Sequence, residues 1–108
     1  MSISTAKQII DMLFNMYKIN DENAFINHHT KGVVLELIGG EPLMNIEVCN
    51  FVCEYFLTSC IKTNHPWLFN SRVSLSTNGM LYFNPIVQQF IEKYKNFLNM
   101  TITIDGPK

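Results

Sequence analysis

Val33-Val-Leu-Glu-Leu-Ile-Gly-Gly-Glu-Pro42 is the stretch on which the reading of this chain turns. A run rich in Val, Leu and Ile ends abruptly in two glycines, a carboxylate and a proline, and a new amphipathic pattern starts at Asn45. That order predicts a buried strand, a tight turn and a helix. Paired glycines allow positive φ and let the backbone approach a ligand that any Cβ would exclude. Glu41 then stands at the carboxyl end of the strand, where open α/β sheets and barrels keep their ligands. A carboxylate there suits an ammonium group better than a phosphate, and neither G-x-G-x-x-G nor G-K-S/T is present. Taken alone, Gly-Gly-Glu-Pro is equally at home in an ordinary strand-to-helix turn.

Moving toward the carboxyl terminus, a helix is expected from Asn45, its N-cap, to about Lys62. Cys49, Cys53 and Cys60 share one stripe of it with Val52 and Phe56. Cys60 lies about 10 Å beyond Cys53 at ~1.5 Å per residue, too far to complete a metal site with the other two. Free cysteine packs as a small hydrophobe, so core positions are expected, and an odd number of buried thiols argues for a reducing compartment. Asn64-His65-Pro66-Trp67 reads as a connecting loop. Arg72–Thr77 alternates strictly and makes a second strand that ends in Asn78-Gly79, a turn able to take positive φ. Asn84-Pro85 opens a third helix as cap and first helical position, with Ile86 or Val87, Phe90, Ile91, Tyr94 and Phe97 along it. A last strand is expected over Met100–Ile104, before Asp105-Gly106-Pro107-Lys108.

Moving the other way, Asn27-His28-His29-Thr30-Lys31-Gly32 is a polar loop. Adjacent side chains diverge, so His28 and His29 read as surface residues and not as a metal pair. The first helix is expected to be capped by Ser4, to carry Ala6, Ile9, Ile10, Leu13 and Tyr17 on its apolar stripe, and to end at Asn20-Asp21. The fold class is therefore α/β: a helix followed by a parallel βαβαβ unit with right-handed crossovers.

The strands hold a further signal, because one parity is apolar (Leu35, Leu37, Val73, Leu75, Ile102, Ile104) and the other is polar (Glu36, Ser74, Ser76, Thr101, Thr103, Asp105). Parallel strands buried on both faces are usually apolar throughout. Six polar positions in phase suggest a polar inner face, such as the lumen of a wide or incomplete barrel that holds a ligand.

Composition bounds the rest. The chain has 108 residues, enough for one small domain, with 47% hydrophobic and 16% charged residues and a formal net charge of −1. It carries no basic field that would point to nucleic acid, and no apolar run approaches the roughly 18–20 residues of a membrane span. Without an apolar signal core at its start, a cytoplasmic protein is the expectation.

With these landmarks in place the chain resembles the radical S-adenosylmethionine (SAM) enzymes, in particular the peptide and sulfatase maturases of the SPASM-type subgroup. Gly39-Gly40-Glu41-Pro42-Leu43 looks like that family's motif at the end of its second barrel strand, Ser76-Thr77-Asn78-Gly79 like the end of the third, and Thr103-Ile104-Asp105-Gly106-Pro107 like the end of the fourth. The resemblance implies a partial TIM-like barrel, part of a radical SAM (β/α)6 core. It also implies that Gly39, Gly40 and Glu41 hold the amino group of SAM, that Thr103 and Asp105 approach its ribose or carboxylate, and that Ser76 and Asn78 line the same mouth. The family cleaves SAM reductively with a 4Fe-4S cluster and uses the resulting radical to abstract a hydrogen, so a peptide or protein substrate is implied.

The family's cluster loop, C-x-x-x-C-x-x-C, does not occur here: Cys49 and Cys53 have the first spacing, but Phe56 stands at the third position. Residues 1–108 are therefore expected to be a single incomplete core domain, with the cluster held only in a full-length parent and no radical chemistry from this chain alone. Two other readings remain open. One is a non-catalytic α/β interaction module or truncated pseudo-enzyme, self-associating through open sheet edges. The other is an unrelated small nucleotide-binding domain.

Overall fold

In a computed structural model, which describes residues 2–37, 45–77, 81 and 83–102, the first helix is opened by Ser2 and not by Ser4. Ser2 is extended, and its Oγ accepts a hydrogen bond from the Thr5 amide at 3.1 Å, so α1 runs Ile3–Ile19 with Ser4 inside its first turn. Asn20 ends it in the left-handed region at φ 55°, its amide donating to the Met16 carbonyl. Ala6, Ile10 and Leu13 are buried, whereas Ile9, expected on the same stripe, is 39% exposed. The stripe is narrower than its apolar residues suggest because α1 packs chiefly against one partner, the helix α2 (Ile46–Thr63).

Three strands, β1 (Val34–Leu37), β2 (Arg72–Thr77) and β3 (Leu98–Ile102), form a parallel sheet in the order β1-β2-β3. The connections run through α2 and α3 (Pro85–Tyr94), so the chain is mixed α/β. α3 starts as its sequence predicts, with the Asn84 side chain accepting from the Ile86 amide and proline at the first position. β3 begins two residues earlier than expected. The Phe97 amide closes a turn onto the Tyr94 carbonyl at 2.8 Å, and the Phe97 carbonyl accepts from the Val73 amide at 3.1 Å, which starts the ladder there.

The register shows what the two parities do. Leu35, Val73 and Leu98 form one row and Leu37, Leu75 and Met100 the next; Val73 and Leu75 are buried among helix side chains. The opposite face carries Glu36, Ser74 and Asn99 in one row and Ser76 beside Thr101 in the next, all exposed except the half-buried Ser74. One core fills the space between the helices and the apolar face, joining Val52, Phe56, Val87 and Phe90 to β2. Among the described residues no helix or strand covers the polar face.

Asn64-His65-Pro66-Trp67, expected as a plain loop, is instead a structural joint. Asn64 ends α2 at φ 50°, and Pro66–Phe69 forms a 3-10 turn that drives Trp67 into the core, where it is fully buried. Its indole Nε1 donates to the Thr30 carbonyl at 2.9 Å, and the ring stacks parallel to Phe56 at 6.4 Å. No helix among the described residues is long and apolar enough to cross a membrane.

Candidate functional site

Adjacent parallel strands end along one edge of their sheet, so the chain leaves β1 after Leu37, β2 after Thr77 and β3 after Ile102 along that edge. In sequence, Gly39 stands two residues after β1, Ser76-Thr77 are the last residues of β2 with Asn78 next, and Thr103 follows β3 directly. Gly39, Gly40, Glu41, Asn78, Thr103 and Asp105 lie outside the described residues. Ser76 lies within them, on the bare polar face near the carboxyl end of β2 and exposed.

Ser76 pairs in register with Thr101, a neighbour that motif matching passes over. Its signal was nonetheless present, since Thr101 shares the polar parity of its strand. One row toward the amino edge stand Glu36, Ser74 and Asn99. This end of the sheet therefore offers hydroxyls, an amide and a carboxylate to anything laid across it. Such a donor and acceptor set can bond the hydroxyls and charged ends of a polar ligand. Thr77, by contrast, is buried at 3% exposure and belongs to the opposite face.

The geometry of the three cysteines does not suit a 4Fe-4S cluster. Cys49, Cys53 and Cys60 are 2%, 0% and 0% exposed along the core side of α2. Burial, with a smaller contribution from neighbouring Cys49, pushes the Cys53 thiol up to about 12, and burial alone pushes Cys60 up to about 11. Cluster ligands must be thiolates that converge on one centre. Buried thiols strung along one helix stripe, two of them with raised pKa, do not fit that group. Among the described residues no cluster of three His, Cys, Asp or Glu side chains is placed to hold a metal ion.

His28 lies with its ring 4.6 Å from that of Tyr17, so the histidine loop is anchored to α1 through an aromatic contact. In comparison with known proteins, no family model, no curated protein and no solved structure matches the chain.

Proposed function

We propose that this chain forms part of the SAM-binding mouth of a radical SAM enzyme that modifies a peptide or protein, the 4Fe-4S cluster being held by cysteines other than the three present here. The observation that carries the reading is the parallel order β1-β2-β3, which sends the chain from the three strands along one edge just where the three family-like motifs follow. The polar face that ends in Ser76 and Thr101 supports it, as the lining of a partial barrel. When bound, the cluster would supply the electron for reductive cleavage of SAM. This chain's residues would bind and orient: Glu41 with Gly39 and Gly40 at the ammonium of the methionine moiety, Thr103 and Asp105 at the ribose or carboxylate, Ser76 and Asn78 along the rim.

The test is equilibrium dialysis of the 108-residue chain with labelled SAM. A hydrogen bond to a charged group contributes roughly 1.5–3 kcal/mol, so Glu41→Gln is expected to weaken binding by about tenfold or more. Binding that is indifferent to Glu41→Gln points to an unrelated nucleotide-binding domain, and no binding at all removes the proposal. A second reading is favoured by the sheet's open edges, where Val34 and Ile102 are 65% and 52% exposed. In that reading the chain is a non-catalytic interaction module whose partner, a second copy included, covers an edge strand.

A further inference from the structure

Tyr17, near the end of α1, lies with its ring 4.6 Å from His28 and 4.3 Å from His65, while Phe14 meets His65 edge-on at 5.1 Å. These four rings, with Lys18 and Lys62, line a groove of about 600 Å³ between the last turns of α1 and α2. That volume falls within the roughly 300–1,000 Å³ typical of small-molecule sites. A parallel β-α-β crossover must return its helix to the amino edge of the sheet, so the end of α2 and its groove lie toward the edge opposite the strand exits.

Two observations bear on the occupant. First, His65 Nδ1 accepts a hydrogen bond from the Trp67 amide at 3.2 Å, which assigns the ring proton to Nε2. That Nε2 is buried and has no hydrogen-bond partner, a donor that a native structure rarely leaves unused. Second, the groove's charge is unbalanced. Asp11 also lines it, but its carboxylate already receives Lys7 at 3.0 Å and the Tyr55 hydroxyl. The two ion pairs among the described residues are Lys7–Asp11 and Lys95–Glu92, so the exposed ammonium groups of Lys18 and Lys62 have no carboxylate partner among those residues. Positive charge gathers here although the chain as a whole is at −1.

We propose that this groove is a binding site for a small planar aromatic carboxylate, its ring packed among Phe14, Tyr17 and the two imidazoles and its carboxylate set between Lys18 and Lys62. SAM, whose sulfonium and ammonium outweigh its one carboxylate, is poorly matched to two lysines. The site is therefore independent of the proposed SAM mouth, and each stands or falls by itself.

Benzoate is the probe, and Trp67 is the reporter. It is the only tryptophan in the chain, and its ring lies 4.5 Å from His65 and 5.2 Å from Tyr17. Titrating the full chain with benzoate is expected to change Trp67 emission saturably, with a Kd of about 1 mM for so small a ligand. Benzyl alcohol, of the same shape but uncharged, is expected to bind at least about tenfold more weakly, and so is benzoate to the Lys18→Gln, Lys62→Gln double variant. Both lysines are exposed, and circular dichroism checks that the variant is folded. Equal affinity for the alcohol, undiminished binding by the double variant, or no saturable change through about 50 mM benzoate overturns the proposal.

Discussion

Gly32 approaches Asn70 so closely that a Cβ built on it would stand 2.0 Å from the Asn70 carbonyl oxygen and 2.6 Å from its carbon. Both are backbone atoms, which no rotamer change can move aside. Gly32→Ala is therefore expected to destabilise the protein by about 2 kcal/mol, in the range of overpacked sites, as measured by the urea midpoint at unchanged m-value. An unaltered midpoint would show that the joint between the histidine loop and the 3-10 turn is looser than described. His65, on the other side of that joint, carries the pH dependence of this region. Burial, and then the charge of neighbouring His28, hold its pKa below the usual 6.5. The unfolded chain thus binds the proton more readily than the folded one. The stability that the neutral ring contributes is complete above 6.5 and is lost as pH falls from there toward the lower folded value. Melting temperature is expected to drop through that window, and to drop less in His65→Gln. Identical pH profiles would remove His65 as the cause. Neither role was legible in the sequence. Gly32 reads as the end of a polar loop and His65 as part of a connection, because what constrains them lies far away along the chain.

Among the elements, α2 is the one whose sequence said most. The 3.6-residue period alone puts Cys49, Val52, Cys53, Phe56 and Cys60 on one stripe, and all five are buried. With its thiol pushed up to about 12, Cys53 is protonated at neutral pH and shielded from reagents. In the native protein all three cysteines are expected to resist alkylation by iodoacetamide at about pH 8 and to react fully in about 6 M guanidinium. Mass spectrometry reads the outcome, and rapid native labelling of Cys53 would sink the core assignment. Caps were readable where a single residue type serves, as with Asn84 before Pro85. They were misread at α1, where Ser2, Ser4 and Thr5 offer three competing hydroxyls and only the helix's entry geometry chooses Ser2. The 3-10 turn at Pro66–Phe69 leaves no signal in the sequence because four residues hold no period.

At the largest scale, the uncovered polar face and the two edge strands among the described residues follow from a three-stranded parallel sheet covered by helices on one side. Unpaired strand edges template further pairing, and a lysine placed on an edge blocks it. If the edges bring copies together, sedimentation velocity at rising concentration is expected to show association that the Val34→Lys, Ile102→Lys double variant abolishes. An unchanged distribution would separate association, or its absence, from the edges. At the candidate site, the motif order and the polar parity of Ser76 were readable from the chain itself, whereas the pairing of Ser76 with Thr101 was not. Local rules are enough for what the sequence by itself determined: which segments are helix or strand, and which strand parity is apolar. Those follow from the geometry of successive residues, 3.6 to a turn or two to a pleat. Only the tertiary structure decided that β3 starts at Leu98, that Trp67 is a core residue tied to Thr30, and that Gly32 must remain a glycine. Each of these depends on a contact between residues distant in sequence, whose energy no local pattern contains.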